Sequence, residues 1–308
     1  MDGILELWEQ PAADEIYMIA GWHQWADAGN VSSGLPEYLI DRLSARMIGE
    51  MQSNGFYLFQ IPGTHHFVRP TVSLEEGYRK SLAQPRNEFY YAGDEQSGLV
   101  IFLGDEPHMN ADRYADAFFD AVQRLGVKRV VIVGGVYGAM PYDKARQLSC
   151  VYSLPRMKNG LERYALRFSN YEGGTTIGTY MADAAEPRGV ELIVLYAMVP
   201  AYDFSEGTAP MQGVRIDNDF KAWFDIMRRV THMFGTDLDL SDLEARSYDL
   251  ILSMDAEVEE VAQKMPELKV RDYLAEVNRE FEEPTFDPLD DVWERGLRDL
   301  FDDMNGSE

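Results

Sequence analysis

The 308-residue chain contains one cysteine, Cys150. An intrachain disulfide is therefore excluded, and a reducing compartment suits the protein. Long apolar runs are missing too: none approaches the roughly 20 residues that a membrane-spanning helix needs. The first residues, "MDGILELWEQPAADE", offer neither a basic leader nor a cleavable apolar segment, so no signal peptide is expected. These absences point to a cytoplasmic location and no membrane partner. Positive charge is also scarce, with 28 Lys and Arg against 53 Asp and Glu, a net charge of −25. Without clustered Lys and Arg there is nothing to replace phosphate counterions, so no nucleic-acid partner is expected. The common catalytic signatures do not occur. There is no G-x-S-x-G elbow, no phosphate-binding G-x-x-x-x-G-K-[ST] loop, no dinucleotide fingerprint, no H-E-x-x-H and no paired-cysteine motif. The expectation is a chain with no cofactor, no metal site and no assigned catalytic residue.

A hydrophobic content of 45% with 12% aromatics describes a globular protein with a real core. Apolar runs at 16–20, 56–61, 99–103, 129–133 and 192–198 read as strands, several of them continuous enough to be covered on both faces. Between the third and fourth runs, Tyr114, Phe118, Val122 and Leu125 mark one face of a helix, with Asn110 as a candidate N-cap. This strand–helix–strand order predicts a parallel crossover. A second helix over 175–185 precedes "LIVLYAMVP". Residues 51–91 suggest antiparallel pieces, so the sheet is expected to be mixed. From Ile216 onward the pattern is helical. Gly235 closes one helix, "SDLE" (Ser241 to Glu244) has the form of a capping box, and Pro266 closes the next. Val270 to Phe281 and Leu289 to Met304 mark two more. Residues 236–308 hold 23 acidic and 7 basic residues. They read as an acidic helical subdomain behind an α/β core of residues 1–235.

Four polar, glycine-rich loops follow strands, where open parallel sheets place their sites. "GWHQWADAGN" (residues 21–30) supplies Trp22, Asp27, Gly29 and Asn30. "LGDEPH" supplies Glu106 and His108, either an acid/base pair or a helix-entry loop. "VGGVYG" supplies Gly134 and Gly135, whose backbone permits close approach. "YEGGTTIG" supplies Glu172, Gly173, Gly174 and Thr175, with Thr175 or Thr176 as a helix cap and glycine amides that could meet an anion. In the first loop, Asp27 or Asn30 is expected to serve helix-start amides, while Trp22 and Trp25 serve packing or an interface. Pro36 implies a helix that kinks or starts late. The adjacent His65 and His66 read as an exposed pair rather than a chelate, and Cys150 as a small buried hydrophobe.

Taken in order, "GWHQWADAGNVSSG", "RPTV", "NEFYYA", "LGDEPH", "RVVIVGGVYGAMPY", "YEGGTTIG" and "YAMVPAY" resemble the PAC2 family, the proteasome assembly chaperone 2-like proteins. The match is greatest with its bacterial, actinobacterial-type branch, which carries a C-terminal helical extension. The resemblance implies a three-layer α/β/α sandwich with a mixed central sheet, of phosphorylase/hydrolase-like fold. It also implies homo-oligomers, a trimer being favoured. In archaeal and eukaryotic members it implies a chaperone role in proteasome assembly. The sequence departs from that pattern in places. It ends Gly306-Ser307-Glu308 in place of a hydrophobic-Tyr-X docking tail, has Ala201 in "VPAY", and reads "PYDKAR" where the family has "PHTRP". No residue set matches the phosphate and nucleoside ligands of phosphorylases.

Two functions follow as expectations. The first is a non-enzymatic, chaperone-like or scaffolding protein that works through protein partners. The second is a small-molecule site for an anion or nucleotide, with hydrolase or phosphorylase-like chemistry, on Asp27, Glu106, His108 and Glu172.

Overall fold

The computed structural model describes residues 3–60, 69–202 and 214–286. At its centre four parallel strands run side by side: β2 (Glu15–His23), β7 (Ser97–Asp105), β8 (Val127–Gly138) and β11 (Glu191–Tyr202), in the order β7-β2-β8-β11. Their near-continuous apolar sequences match burial on both sides. Beyond β7 the sheet continues antiparallel through β6 (Asn87–Gly93), β3 (Arg46–Met51) and β1 (Leu5–Leu7). Beyond β11 it continues through β9 (Leu148–Tyr152), antiparallel, then β10 (Arg167–Phe168). A short β12 (Val214–Arg215) pairs with the end of β11. The sheet is therefore mixed, as expected.

Alternation along β2 divides the core. Ile19 faces a cluster with Leu35 and Leu39 of α1 (Gly34–Arg42) and with Trp223, Ile226 and Val230 of α5 (Phe220–Phe234). Met18 and Ala20 face the opposite cluster, with Phe118 of α2 (Ala111–Arg124) and Met181 of α4 (Ile177–Ala185). Helices thus cover both faces, in three layers. A one-turn α3 (Lys158–Leu161) lies in the link from β9 to β10. Further along, α6 (Ser241–Lys264) adds Leu243 and Met254 to the α5 side, and α7 (Val270–Glu280) follows it. No helix among the described residues is long and apolar enough to cross a membrane.

Several local expectations change. Residues 56–60 form no strand. Phe56 is fully buried, and its carbonyl accepts the His108 and Met109 amides at 2.8 and 3.1 Å, so this backbone is tied to a loop rather than to a neighbouring strand. Ile61 lies outside the described residues, as do His65, His66 and the helix expected over 289–304. "SDLE" forms no capping box: helix α6 begins at Ser241, whose amide is accepted by Asp239. Helix α5 begins four residues after Ile216, because Asp219 caps it by accepting the Ala222 amide. Helix α1 starts at Gly34, which leaves Pro36 in the first turn, where a missing N–H costs no helical bond. Asn110 precedes α2 but donates to the Gly55 carbonyl instead of capping. Gly235 closes α5 with a φ of 64°.

Candidate functional site at the strand ends

Parallel register gathers the strand-end loops on one edge of the sheet. His23 closes β2 opposite Asp105, the last residue of β7. Asp27 bridges to Gly135 in β8, and the Gly135 amide donates to the Ala26 carbonyl at 2.9 Å. A Cβ on Gly135 would stand 2.0 Å from the Ala28 carbonyl oxygen, so only glycine lets these two segments pass. The fourth loop arrives at the same level. Thr176 caps α4 and bonds the Tyr196 hydroxyl, and Tyr196 lies beside Gly134 in the β11–β8 register.

Asp27 organises the first loop. One carboxylate oxygen accepts the Ser32 and Ser33 amides at 2.7 and 3.0 Å, and the other accepts the Ser33 hydroxyl at 2.6 Å. Burial lifts its carboxyl above the ordinary value, against the pull of these hydrogen bonds. The service to helix-start amides expected of Asp27 or Asn30 falls to Asp27. Asn30 instead donates to Asn218, outside the cleft described below, at a φ of 47°. Gly29, at a φ of 64°, turns its carbonyl to the Asp219 amide and the Trp223 indole.

The two tryptophans of this loop separate completely. Trp22 is buried and donates to the Tyr114 hydroxyl at 2.8 Å, while Tyr114 donates to Asn87 at 2.7 Å. Phe102 and Phe118 pack against the Trp22 ring. Trp25 points outward and is 76% exposed.

Three of the expected residues, Asp27, Glu106 and His108, line one cleft of about 560 Å³ together with His23, Arg69 and Asp105. Glu106 accepts the Trp25 amide at 3.3 Å. The Leu58 amide donates to His108 Nδ1 at 3.1 Å, which leaves the proton of a neutral ring on Nε2. No hydrogen bond joins Glu106 to His108 among the described residues. Gly134 and Gly135 are buried and do not line this cleft, and Glu172, Gly173, Gly174 and Thr175 form an exposed loop that does not line it either. No group of three or more His, Cys, Asp or Glu among the described residues is placed to hold a metal ion. Cys150 is buried as expected, and burial pushes its thiol up to about 12.

Sequence reasoning missed Arg86 and Asn87. The Arg86 guanidinium comes within 3.4 Å of the His23 ring and its amide donates to Asp105, while Asn87 anchors the tyrosines beneath the cleft. Both lie at "QPRNEF", within residues 51–91, which suggest only antiparallel pieces. Tyr137 and Tyr171 were passed over as well. They are 48% and 67% exposed, Tyr137 at the end of β8 and Tyr171 in the loop between β10 and α4.

Comparisons with known proteins agree with this architecture. The PAC2 family model matches residues 21–262. No protein with a curated description matches. A PAC2 family protein from Streptomyces avermitilis superposes with a TM-score of 0.67 at 24% identity, covering 84% of this chain and 99% of that one. A proteasome-assembly chaperone homologue from Mycobacterium tuberculosis gives 0.66 at 22%, covering 80% and 94%. An archaeal proteasome activator from Pyrococcus furiosus gives 0.56 at 20%, covering 83% and 98%. With the family model spanning the strand-end loops and most of the sheet, the chain belongs to the PAC2 family.

Proposed function

We propose that this protein is a chaperone-like or scaffolding factor that acts through protein contacts at its strand-end edge. The observation that carries the reading is the exposure of Trp25, in the loop after β2, and of Tyr137, at the end of β8, on one edge of a rigid sheet. Large aromatic side chains cost little entropy to fix and dominate contact energies, so they serve as anchors at interfaces. The names of the Mycobacterium tuberculosis and Pyrococcus furiosus neighbours, a proteasome-assembly chaperone homologue and a proteasome activator, support a partner of that kind. We further propose that the chain forms a homo-oligomer, that residues 236–308 give it a separate acidic contact surface, and that its compartment is the cytoplasm. The test is recovery of partners from native lysate by the wild type and by Trp25→Ala/Tyr137→Ala. The reading expects a protein recovered by the wild type and lost by the double variant, with unchanged stability. Equal recovery by both would overturn it.

A second reading rests on the cleft itself. His23, Arg69, Glu106 and His108 converge on a volume large enough for a small anion or nucleotide. A ligand bound only by the native state must raise its melting temperature. A nucleotide, phosphosugar or anion that did so, and failed to do so with His108→Ala, would favour this reading.

A further inference from the structure

Between residues 71 and 83 the chain leaves the main sheet. Strands β4 (Thr71–Glu75) and β5 (Tyr78–Ala83) pair only with each other among the described residues, and every residue of both is exposed. A lone two-stranded hairpin is marginally stable in water, and both of its edges are open to other chains. This one also turns apolar side chains outward. Val72, Leu74, Tyr78 and Leu82 are 50%, 62%, 80% and 39% exposed. Val72 lies opposite Leu82, and Leu74 follows Val72 on the same face, so these three make one apolar strip. The arm is also free of the acidic excess of the chain. Residues 71–83 hold two basic and two acidic residues in a protein of net charge −25. Lys80 pairs with Glu75 at 3.5 Å, while Arg79 forms no ion pair among the described residues.

A complementary surface lies on α6. Tyr248 and Leu252, 67% and 63% exposed, stand one turn apart. They are the only large apolar side chains that a helix leaves exposed among the described residues. Glu244 and Asp249, both exposed, lie one turn before Tyr248 and Leu252 respectively. We propose that the hairpin arm of one copy packs on this face of α6 in a second copy, apolar strip on Tyr248 and Leu252, with Arg79 meeting Glu244 and Asp249. The base of the arm, at Thr71 and Ala83, also walls the strand-end cleft, so docking in trans fixes that wall.

This inference rests on the homo-oligomer reading, and the experiment separates the two. Light scattering reads the assembly state of the wild type, Leu74→Ser, Leu252→Ser and Arg79→Glu. The expected result is an oligomer that each substitution weakens by about 10-fold or more in dissociation constant, with the Arg79→Glu effect shrinking as salt rises. These side chains are exposed, so native circular dichroism is expected to persist. In addition, Leu74→Cys and Leu252→Cys proteins are mixed, allowed to exchange subunits and oxidised. Cys150 is 1% exposed and stays out of the reaction. A mixed disulfide dimer is expected. A monomeric wild type would overturn both the oligomer reading and the arm contact. An oligomer indifferent to all three substitutions would overturn the arm contact alone. The absence of a mixed dimer would also overturn the arm contact, whether residues 287–308 of the same chain cover α6 or Leu74→Cys links only to itself.

Discussion

Asp27 holds the Ser32 and Ser33 amides and the Ser33 hydroxyl, the work of a helix cap done from several residues upstream of α1. Asp27→Ala frees these donors at a half-buried site. It is expected to cost about 1–2 kcal/mol in a urea denaturation series, the usual range for a lost cap. The carboxyl also titrates. Because burial raises its folded value above the unfolded one, the native state takes up a proton first as pH falls. Its linkage contribution to stability is therefore fully present below the unfolded value and is lost as pH rises through the folded value. Measured against Asp27→Asn, the wild type gains stability on acidification through that window. The role of Asp27 was legible in the sequence because short polar side chains before an apolar stripe have few other duties. The fates of Trp22 and Trp25 were not. Both are tryptophan, three positions apart, and the difference comes from Tyr114, Phe102 and Phe118, which reach Trp22 from β7 and α2.

At the scale of elements, the long parallel strands and α2 could be read directly, since buried runs and a 3.6-residue stripe repeat over enough positions to stand out. Short elements escaped. Strand β10 has two residues and pairs only because β9 lies alongside, and the run at 56–60 has strand composition but spends its backbone on the loop after β7. Arg146 escaped for a related reason, since its partners lie far away in sequence. It is fully buried and forms a two-pronged pair with Asp219 at 2.8 and 3.1 Å, and its remaining guanidinium nitrogen donates to the Tyr142 and Lys144 carbonyls. Asp219 in turn caps α5 and donates its amide to the Gly29 carbonyl. One ion pair thus joins the segment after β8, the start of α5 and the first strand-end loop. Arg146→Ala leaves Asp219 charged and buried without its partner, and is expected to lower unfolding free energy by about 3–5 kcal/mol. A loss below about 1 kcal/mol in the same denaturation series would contradict this account.

The whole molecule combines a mixed sheet covered on both faces, one edge carrying exposed aromatics, and an acidic chain from which a charge-balanced, apolar-striped arm projects. The mixed sheet with its parallel crossover followed from patterning, and the three layers from the family resemblance. The arm's isolation did not, because "TVSLE" and "YRKSLA" look like ordinary sheet strands until the rest of the sheet is seen to run past them. The central claim is that the strand-end edge meets a protein. Site-specific photo-crosslinking tests it most directly, with a photoreactive residue placed at Trp25 or Tyr137 and, as control, at Trp8. Trp8 is 56% exposed and hydrogen-bonded to Met47 on the distant β3 strand. The account predicts adducts with the same foreign protein from positions 25 and 137 and none from position 8. No adduct at the strand-end positions, or the same adducts from all three, would contradict it.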